Sequence, residues 1–476
     1  MINHLAKWMQ DSPEAPFIMA GNRKYSNSEI IYLAVDRAES LRRAGCTSNK
    51  RAVLYSPDPF DGVELFLACQ ITGSVFIPVP TSLPAADLHE KLNTLKPDVI
   101  CCHRKDRSLF RFLNIPVISL EEQSPGSGAC ETGILPSHFS KDDVSVMLFT
   151  SGSSGKPKPV QLTNGNFIAS YRGWNELIHF TQNDEYLCCL PFHHVGGLSI
   201  LTRAILGRFP IRLSRKFQPD KIMSYLSSGD VTLTSLIPSM LFTLIQDVKE
   251  NPFHKNVRAI IMGGSAMSEE MENRCLELDL PIVKSYGMTE TCSGISGFFL
   301  RDAPEKRRSS GRPFGNTKVF TSQNRIVING EQVMKGYLGE TLRDGEFFSQ
   351  DTGYLDKDGY LFVQGRLDDV IISGGENIRL SEIESVVNRH PWVRESAAVG
   401  ISDERWGEKL GVAVVMKDNV NFPPTEGEIM ENLSAFLRDF LSDYQIPKII
   451  IRLGSLPVTE LGKPDKSRLI QIILNS

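Results

Sequence analysis

Residues 149–162 read Phe-Thr-Ser-Gly-Ser-Ser-Gly-Lys-Pro-Lys-Pro-Val-Gln-Leu, and the apolar run before them, Val144 to Phe149, predicts a buried strand. The glycines allow the backbone to turn tightly and to bring its N–H groups close to a ligand. The hydroxyl and lysine side chains add donors and positive charge, which suits a polyphosphate. The residues predicted to bind phosphate are Thr150, Ser151, Gly152, Ser153, Gly155, Lys156 and Lys158.

The spacing of this loop excludes a Walker P-loop. That motif, Gly-x-x-x-x-Gly-Lys-[Ser/Thr], requires glycine at position 150 and a hydroxyl at position 157, where the chain has threonine and proline. A flexible Gly/Ser turn without a ligand is the alternative. The loop is short, follows a buried strand and carries two lysines beside prolines, so we expect a phosphate site of another kind.

The overall composition excludes several classes of protein. A length of 476 residues predicts two or three domains, and 41% hydrophobic with 23% charged residues is ordinary for a soluble globular protein. A net charge of −4 without a long basic run gives no reason to expect nucleic acid. We see no membrane-spanning stretch and no secretory signal. The nine cysteines include no Cys-x-x-Cys pair, which predicts reduced, buried thiols in a cytoplasmic protein.

Short apolar strands alternate with helical segments along most of the chain. This pattern predicts an α/β fold with a mostly parallel sheet covered by helices on both faces. Mixed glycines, charges and β-like pieces around 305–365 predict a small β-rich region. After a capping box at Ser381 and Glu384, a second pattern predicts a small α+β unit of about 100 residues. We expect a large N-terminal domain at 1–366 and a small C-terminal domain at 367–476.

Three further motifs follow predicted strands, where open α/β sheets bind their ligands. They are Leu190-Pro-Phe-His-His-Val-Gly-Gly-Leu198, Gly263-Gly264-Ser265-Ala266 and Ser285-Tyr-Gly-Met-Thr-Glu-Thr291. Paired glycines admit a flat ligand, Tyr286 offers a ring for stacking, and Glu290 offers an oxygen ligand for Mg²⁺. The adjacent histidines are not expected to share a metal, because neighbouring residues of a strand face opposite ways. Each motif alone is also compatible with an ordinary turn.

The last two motifs lie towards the C-terminus. A long run extends from Asp351 to Ile378 and contains Gly365-Arg366-Leu-Asp-Asp. A buried aspartate such as Asp351 can accept two ribose hydroxyls, and a nearby arginine such as Arg366 can neutralise phosphate. The run Thr459-Glu-Leu-Gly-Lys-Pro-Asp-Lys466 places a lysine on a short loop, where it is a mobile point charge. An exposed lysine near a C-terminus is usually only solvated, which is the alternative.

Taken together, these motifs resemble the adenylate-forming superfamily of acyl-CoA synthetases, luciferases and peptide-synthetase adenylation domains. The loop matches the superfamily pattern from Phe149 to Lys158 and departs at Pro159, where glycine is usual. The usual Thr-Gly-Asp order reads Ser349-Gln350-Asp351, so only the aspartate is kept. The resemblance covers about 144 to 466.

The resemblance implies a role for each matching residue. It implies adenine contacts at Gly263, Gly264, Tyr286 and Gly287, phosphate contact at Thr289, Mg²⁺ at Thr150 and Glu290, ribose at Asp351 and Arg366, a hinge at Asp368, an acyl pocket at His194, and a catalytic lysine at Lys463 with Lys466 as second candidate.

The resemblance also implies a two-step reaction. A carboxylate attacks the α-phosphate of Mg·ATP and releases pyrophosphate, and coenzyme A then displaces AMP from the acyl-AMP. A mobile C-terminal domain serves both steps. The stretches 186–203 and 369–378 further resemble o-succinylbenzoate–CoA ligases of menaquinone biosynthesis. Their substrate has two carboxylates, so Arg203 is a candidate partner for the one that is not activated, with a surface charge as the alternative.

Three other functions stay open. They are another aryl- or acyl-CoA ligase, a stand-alone adenylation domain that loads a carrier protein, and a non-catalytic nucleotide-binding protein. An amino-acid site should carry an aspartate just after the histidine motif, but Arg203 is the only charge between 195 and 207. The retained Lys463, Glu290 and Asp351 argue against loss of catalysis. The expected partners are a small carboxylic acid and coenzyme A, and a homo-oligomer is compatible with the sequence.

Overall fold

The computed structural model describes residues 2–121, 140–150, 158–323, 325–340, 345–367, 369–373, 376–403, 406–417, 425–459 and 463–475. The chain divides into two compact units. Unit 1 comprises Met1–Phe320, Val327–Phe347 and Asp356–Leu361, and unit 2 comprises Thr321–Ile326, Phe348–Leu355 and Phe362–Ser476.

The helices alternate with strands through unit 1 and recur in unit 2. In the described ranges the α-helices are α1 (Ile2–Asp11), α2 (Asn27–Arg43), α3 (Pro59–Thr72), α4 (Ala85–Leu95), α5 (Asn164–Ile178), α6 (Val195–Gly207), α7 (Pro219–Ser228), α8 (Pro238–Ile245), α9 (Glu269–Glu277), α10 (Leu380–Val387), α11 (Glu426–Arg438) and α12 (Lys466–Leu474). Of these helices, none is both long and apolar enough to cross a membrane.

The strands are short in unit 1 and longest in unit 2. They are β1 (Pro16–Ala20), β2 (Arg23–Ser26), β3 (Arg51–Tyr55), β4 (Val75–Pro78), β5 (Val99–Cys102), β6 (Val117–Ser119), β7 (Val144–Phe149), β8 (Pro159–Thr163), β9 (Tyr186–Cys188), β10 (Ile211–Leu213), β11 (Leu233–Leu236), β12 (Ala259–Met262), β13 (Ile282–Met288), β14 (Ser293–Phe299), β15 (Arg312–Pro313), β16 (Lys318–Ser322), β17 (Arg325–Asn329), β18 (Gly336–Tyr337), β19 (Glu346–Phe348), β20 (Asp351–Leu355), β21 (Leu361–Arg366), β22 (Val370–Ser373), β23 (Glu376–Arg379), β24 (Val393–Asp403), β25 (Gly407–Met416) and β26 (Ile449–Leu453).

Unit 1 is built on two mixed sheets whose central strands run parallel. One sheet has the order β15-β14-β13-β12-β11-β9-β10-β1-β2, with parallel pairing from β1 through β13. The other has the order β18-β8-β7-β4-β3-β5-β6 and is parallel from β7 to β6. The predicted α/β class is confirmed. Antiparallel strands occur at the edges, as they commonly do on parallel sheets.

The core of unit 1 joins the two sheets through the helices between them. One continuous cluster of buried side chains includes Phe66 on α3, Phe76 on β4, Trp174 on α5 and Tyr186 on β9. Helix α5 begins immediately after β8 because Thr163 caps it. The hydroxyl of Thr163 accepts the N–H of Asn166 at 3.1 Å, which satisfies an otherwise unpaired donor of the first turn. The strand that leaves the phosphate loop therefore leads directly into a core helix.

Unit 2 contains a five-stranded sheet in which β23, β22, β25 and β24 are neighbours and β26 pairs with β25. The expected capping box at Ser381 and Glu384 is wrong. Helix α10 already begins at Leu380, so Ser381 lies within its first turn. The carboxylate of Glu384 instead accepts the backbone N–H of Ala398 at 2.8 Å, because this side chain points inward onto β24. Burial raises the pKa of the Glu384 carboxyl.

The cysteines of the described ranges support the prediction of reduced thiols. Eight of them are free and buried: Cys46, Cys69, Cys101, Cys102, Cys188, Cys189, Cys275 and Cys292. Burial raises the pKa of Cys46 to about 11 and that of Cys101 to about 12. Since the thiolate is the reactive form, these cysteines are packing residues.

Candidate active site

The two ends of the predicted phosphate loop, residues 150–158, are joined by the pairing of β7 with β8; we call these joined ends the neck of the loop. The N–H of Thr150 donates to the carbonyl of Lys158 at 3.2 Å, and Phe149 pairs with Pro159. Pro159, the departure from the superfamily pattern, is the first residue of β8 and is buried there. A strand tolerates proline at its first position, and the Pro159 carbonyl still accepts the N–H of Leu338 at 2.9 Å. The proline therefore fits the loop exit.

Part of the predicted set lies outside the described residues. These positions are Ser151, Gly152, Ser153, Gly155, Lys156 and the expected hinge residue Asp368.

The exposed ammonium of Lys158 lies between a carboxylate and an aromatic ring. Its Nζ is 3.2 Å from Oε1 of Glu340 and 5.0 Å from the centroid of the Tyr337 ring. Tyr337 belongs to β18, which pairs with β8, and its hydroxyl donates to Oε1 of Glu290 at 2.9 Å. One tyrosine thus connects the exit of the phosphate loop to the predicted metal-binding carboxylate. No motif in the sequence pointed to Tyr337.

The Tyr286–Glu290 segment forms the end of β13 and a 3₁₀ turn, Thr289–Thr291, which leads into β14. The side chains of Tyr286, Thr289 and Glu290 are half-buried, so each is accessible at one side. The main-chain carbonyl of Glu290 accepts the N–H of Met334 at 2.8 Å. This bond ties the turn to the segment that leads into β18.

Gly287 is required by a close approach of the backbone. A Cβ atom at this position would lie 2.1 Å from the carbonyl oxygen of Ser293 on the opposing strand. Real Cβ atoms do not approach this closely, so any side chain would force β13 and β14 apart. Gly287 therefore fixes the hairpin that carries Thr289 and Glu290.

The glycine pair 263–264 follows β12, the parallel neighbour of β13. Gly264 adopts a left-handed φ of +85°, whereas Gly263 has no atom within 4 Å of the place where a Cβ would be. The hydroxyl of Ser285 donates to the carbonyl of Met262 at 2.8 Å, which joins the ends of the two strands. Open space above Gly263 beside the Tyr286 strand suits a flat ligand.

The two adjacent histidines are not on a strand, so the expectation that they face opposite ways is wrong. Strand β9 ends at Cys188, and His194 is the residue before α6. The rings of His193 and His194 have centroids 4.4 Å apart. In the part of the chain that the structure describes, no group of three or more His, Cys, Asp or Glu side chains is arranged to hold a metal.

Arg203 lies in the core on α6 with 2% of its surface exposed, so the alternative of a surface charge is wrong. Its guanidinium donates to the hydroxyl of Ser293 at 2.9 Å and to that of Tyr186 at 3.4 Å. The guanidinium carbon lies 4.5 Å from the centroid of the Trp174 ring. Burial lowers the pKa of Arg203.

In unit 2 the predicted ribose residues form a pair. Nη1 of Arg366, at the end of β21, is 3.3 Å from Oδ1 of Asp351, at the start of β20. The hydroxyl of Ser349 accepts the N–H of Asp351 at 3.1 Å and donates to the carbonyl of Ile326 at 2.8 Å. Ser349, which stands in a departure from the superfamily pattern, therefore holds the aspartate in place.

The two candidate lysines of unit 2 have different surroundings. Lys463 is exposed, and its carbonyl accepts the N–H of Thr459 at 2.8 Å. Lys466 begins α12, and its ammonium forms a salt bridge with Asp369. The charge of Lys466 also acts on the carboxyl of Glu384. Lys466 is therefore engaged within unit 2.

Comparison with known protein families decides the affiliation of the chain. Residues 5–338 match the AMP-binding enzyme family, and residues 382–463 match the AMP-binding enzyme C-terminal domain. The chain belongs to the AMP-binding enzyme family. The expected resemblance to adenylate-forming enzymes is therefore confirmed.

Members of this family with a known activity match the chain over nearly its whole length. The 2-succinylbenzoate–CoA ligase of Bacillus cereus is 29% identical, with 99% of both sequences covered. The o-succinylbenzoate CoA synthetase of Bacillus subtilis, solved with the acyl-adenylate intermediate OSB-AMP, has a TM-score of 0.87 at 26% identity, covering 98% of this chain and 97% of that one. The same enzyme solved with ATP and a magnesium ion has a TM-score of 0.85 at 25% identity, covering 98% and 99%.

Proposed function

We propose that this protein is an ATP-dependent carboxylate–CoA ligase that works through an acyl-AMP intermediate, and that its acid is o-succinylbenzoate. The observation that carries the proposal is the convergence of the phosphate-loop neck, Tyr337 and Glu290 on one edge of unit 1. Relatives that cover the chain from end to end and are named for this acid support the choice of substrate.

The first step joins two anions, so the site must cancel charge before the bond forms. A carboxylate oxygen of the acid attacks the α-phosphorus of ATP, and the bond from that phosphorus to pyrophosphate breaks. We assign the phosphates to the 150–158 loop, including Lys158, with Thr289 beside them. Lys463 stabilises the charge on the attacking carboxylate.

We assign the nucleotide to the open space at Gly263 and to the paired side chains of Asp351 and Arg366. Adenine lies against Gly263, Gly264, Tyr286 and Gly287, and the ribose hydroxyls bind Asp351, which Arg366 orients. Mg²⁺ takes oxygen ligands, and the half-buried carboxylate of Glu290, oriented by Tyr337, with the hydroxyl of Thr150 offers that donor set. When bound, the ion neutralises phosphate charge.

In the second step the thiol sulfur of coenzyme A attacks the acyl carbon, and the bond to AMP breaks. His194 is assigned to the acyl pocket, because it lies at the tight turn before α6 and is half-buried. Asp368 is proposed as the hinge between the 1–366 and 367–476 domains. We propose a cytoplasmic location, which the free, buried cysteines of the described ranges support.

A pyrophosphate-release assay with a panel of acids tests this function. We expect release with o-succinylbenzoate to exceed that with benzoate, acetate and the twenty amino acids by at least about a hundredfold in kcat/KM. Thioester formation should require coenzyme A. Equal rates with benzoate would point to a general aryl-CoA ligase, and release only with an amino acid would indicate a carrier-loading domain. No release with any acid would mean that the protein only binds nucleotide.

A further inference from the structure

The turn that carries Thr289 and Glu290 ends in an unusual backbone conformation. Two consecutive non-glycine residues, Cys292 and Ser293, have φ values of +51° and +95°. L-residues rarely adopt this region, because the Cβ atom crowds the backbone. Such strain persists only where surrounding contacts enforce it, and it concentrates at functional sites.

The strain has a geometric origin in the hairpin. Gly287 pairs with Gly294, and the Ser293 carbonyl lies close against the Gly287 backbone. The pairing of β13 with β14 also shifts register between Tyr286 and Gly287. The chain must therefore reverse within a few residues and still project Glu290 towards Tyr337. Positive φ values at Cys292 and Ser293 complete this reversal.

Three side-chain hydrogen bonds hold the strained pair. The hydroxyl of Ser170 on α5 donates to the Cys292 carbonyl at 2.8 Å, and that of Thr291 donates to the Ser293 carbonyl at 2.9 Å. The third comes from Nη2 of Arg203 on α6 to the Ser293 hydroxyl at 2.9 Å. Ser170 and Arg203 are 3% and 2% exposed, so two of the three bonds come from the core.

Arg203 is an unusual residue in this core. Among the described residues no carboxylate forms an ion pair with its guanidinium, and its buried Nε has no hydrogen-bond partner there. Its neighbours are the hydroxyls of Tyr186 and Ser293 and the ring of Trp174. Burying a cation without a counter-charge is costly, so an uncharged residue would pack here at a lower cost. The arginine therefore has a use other than packing.

We propose that Arg203 is a positioning residue that clamps Ser293, and through it holds the 289–293 turn in the shape that presents Thr289 and Glu290 to Mg·ATP. This role rests on the proposed function of that turn. We propose this positioning role in place of the expectation that Arg203 contacts the second carboxylate of the acid. Nη1 of Arg203 donates to the hydroxyl of Tyr186, and Tyr186 is itself 0% exposed. Arg203 thus supports Mg·ATP binding whichever acid is the substrate.

A double-mutant cycle tests the clamp. Arg203→Met removes the donor and Ser293→Ala removes the acceptor. We expect each single variant to weaken Mg·ATP binding, measured by calorimetry without any acid, by about tenfold, the usual effect of one hydrogen bond to a charged group. The double variant should bind Mg·ATP no more weakly than whichever single variant has the lower affinity, because the two substitutions remove the same contact.

Two further variants separate positioning from general damage. Arg203→Gln keeps a donor towards Ser293 and should recover most of the ATP affinity. Thr202→Val changes a neighbouring residue of α6 that is equally buried and whose hydroxyl bonds only within the helix, to the Ser199 carbonyl, and it should leave ATP affinity unchanged.

The opposite pattern would overturn the proposal. If Arg203→Met left Mg·ATP affinity unchanged and raised only the KM for o-succinylbenzoate, Arg203 would bind the acid. Additive losses in the double variant would also rule out a shared contact. Because the calorimetry uses Mg·ATP alone, an acid screen that fails to identify the substrate leaves this test intact.

Discussion

The hydroxyl of Tyr337 donates a hydrogen bond to Oε1 of Glu290 at 2.9 Å, and the ring of the same tyrosine lies 5.0 Å from Nζ of Lys158. Tyr337 sits on β18, which pairs with the strand that leaves the phosphate loop. The position of the proposed metal ligand is therefore coupled to that of the loop through one side chain. A shift of either element changes the other.

Tyr337→Phe should weaken the response to Mg²⁺. Loss of the hydroxyl leaves the Glu290 carboxylate without its orienting donor at Oε1, a change of about 1 kcal/mol or somewhat more. We expect the Mg²⁺ concentration for half-maximal pyrophosphate release to rise about fivefold to tenfold. Tyr354→Phe, at an exposed tyrosine of unit 2, is the matched control and should change nothing. An unchanged Mg²⁺ response in Tyr337→Phe would remove Glu290 from the metal site.

Gly263→Ala and Gly287→Ala should fail in different ways. The space at Gly263 is open, so alanine should leave the melting temperature unchanged and raise the dissociation constant of ATP by occupying the adenine position. At Gly287 the new Cβ meets the Ser293 carbonyl at 2.1 Å, so the free energy of unfolding should fall by about 1–3 kcal/mol. Normal ATP affinity in Gly263→Ala would place the adenine elsewhere.

Lys463→Ala and Lys466→Met should separate catalysis from stability. Lys463 is exposed, so its removal should lower the rate of adenylation by about 10²–10³-fold with no change in melting temperature. Thioester formation from supplied acyl-AMP should continue. Lys466→Met removes the ion pair with Asp369, so its main effect should be a lower melting temperature. Equal losses in both half-reactions for Lys463→Ala would disprove its assignment to the first step.

Glu121 should make the stability of unit 1 depend on pH in the acid range. Its carboxylate accepts the Ser119 hydroxyl at 2.6 Å, which is the main reason that its pKa falls to about 2, and it also bonds the N–H of Arg104 and lies beside His103. The unfolded value is about 4.3. A lowered folded-state pKa stabilises the protein above pH 4.3, and this contribution disappears as the pH falls towards 2.

Glu121→Gln should therefore lower the free energy of unfolding at pH 7 and have little effect near pH 2, measured by chemical denaturation across this range. The side chain is 43% exposed, so solvent screening keeps the effect small. Glu250→Gln, at an exposed loop position, is the control and should have no effect at either pH. A deficit that persists near pH 2 would mean that the charge of Glu121 is not its cause.

Local patterns predicted most of the elements but not every one of their boundaries. The strand at Val144–Phe149 begins and ends where the sequence indicated, because periodicity and flanking turn residues are properties of neighbouring positions. The capping box at Ser381 was wrong, since the packing of Glu384 onto β24 overrides a local signal. The adjacent histidines were also misplaced, because β9 ends at Cys188 and His194 lies directly before α6.

The sequence by itself determined the family, the α/β class and the motifs that we propose bind the nucleotide, because glycine turns and strand ends are encoded by contiguous residues. Only the tertiary structure decided that Tyr337 meets Glu290 and that Arg203 is a core residue bound to Ser293. These partners are 47 and 90 positions apart in the chain. Their contact depends on strand order and on the packing of α6 against β14, which no short stretch of sequence specifies.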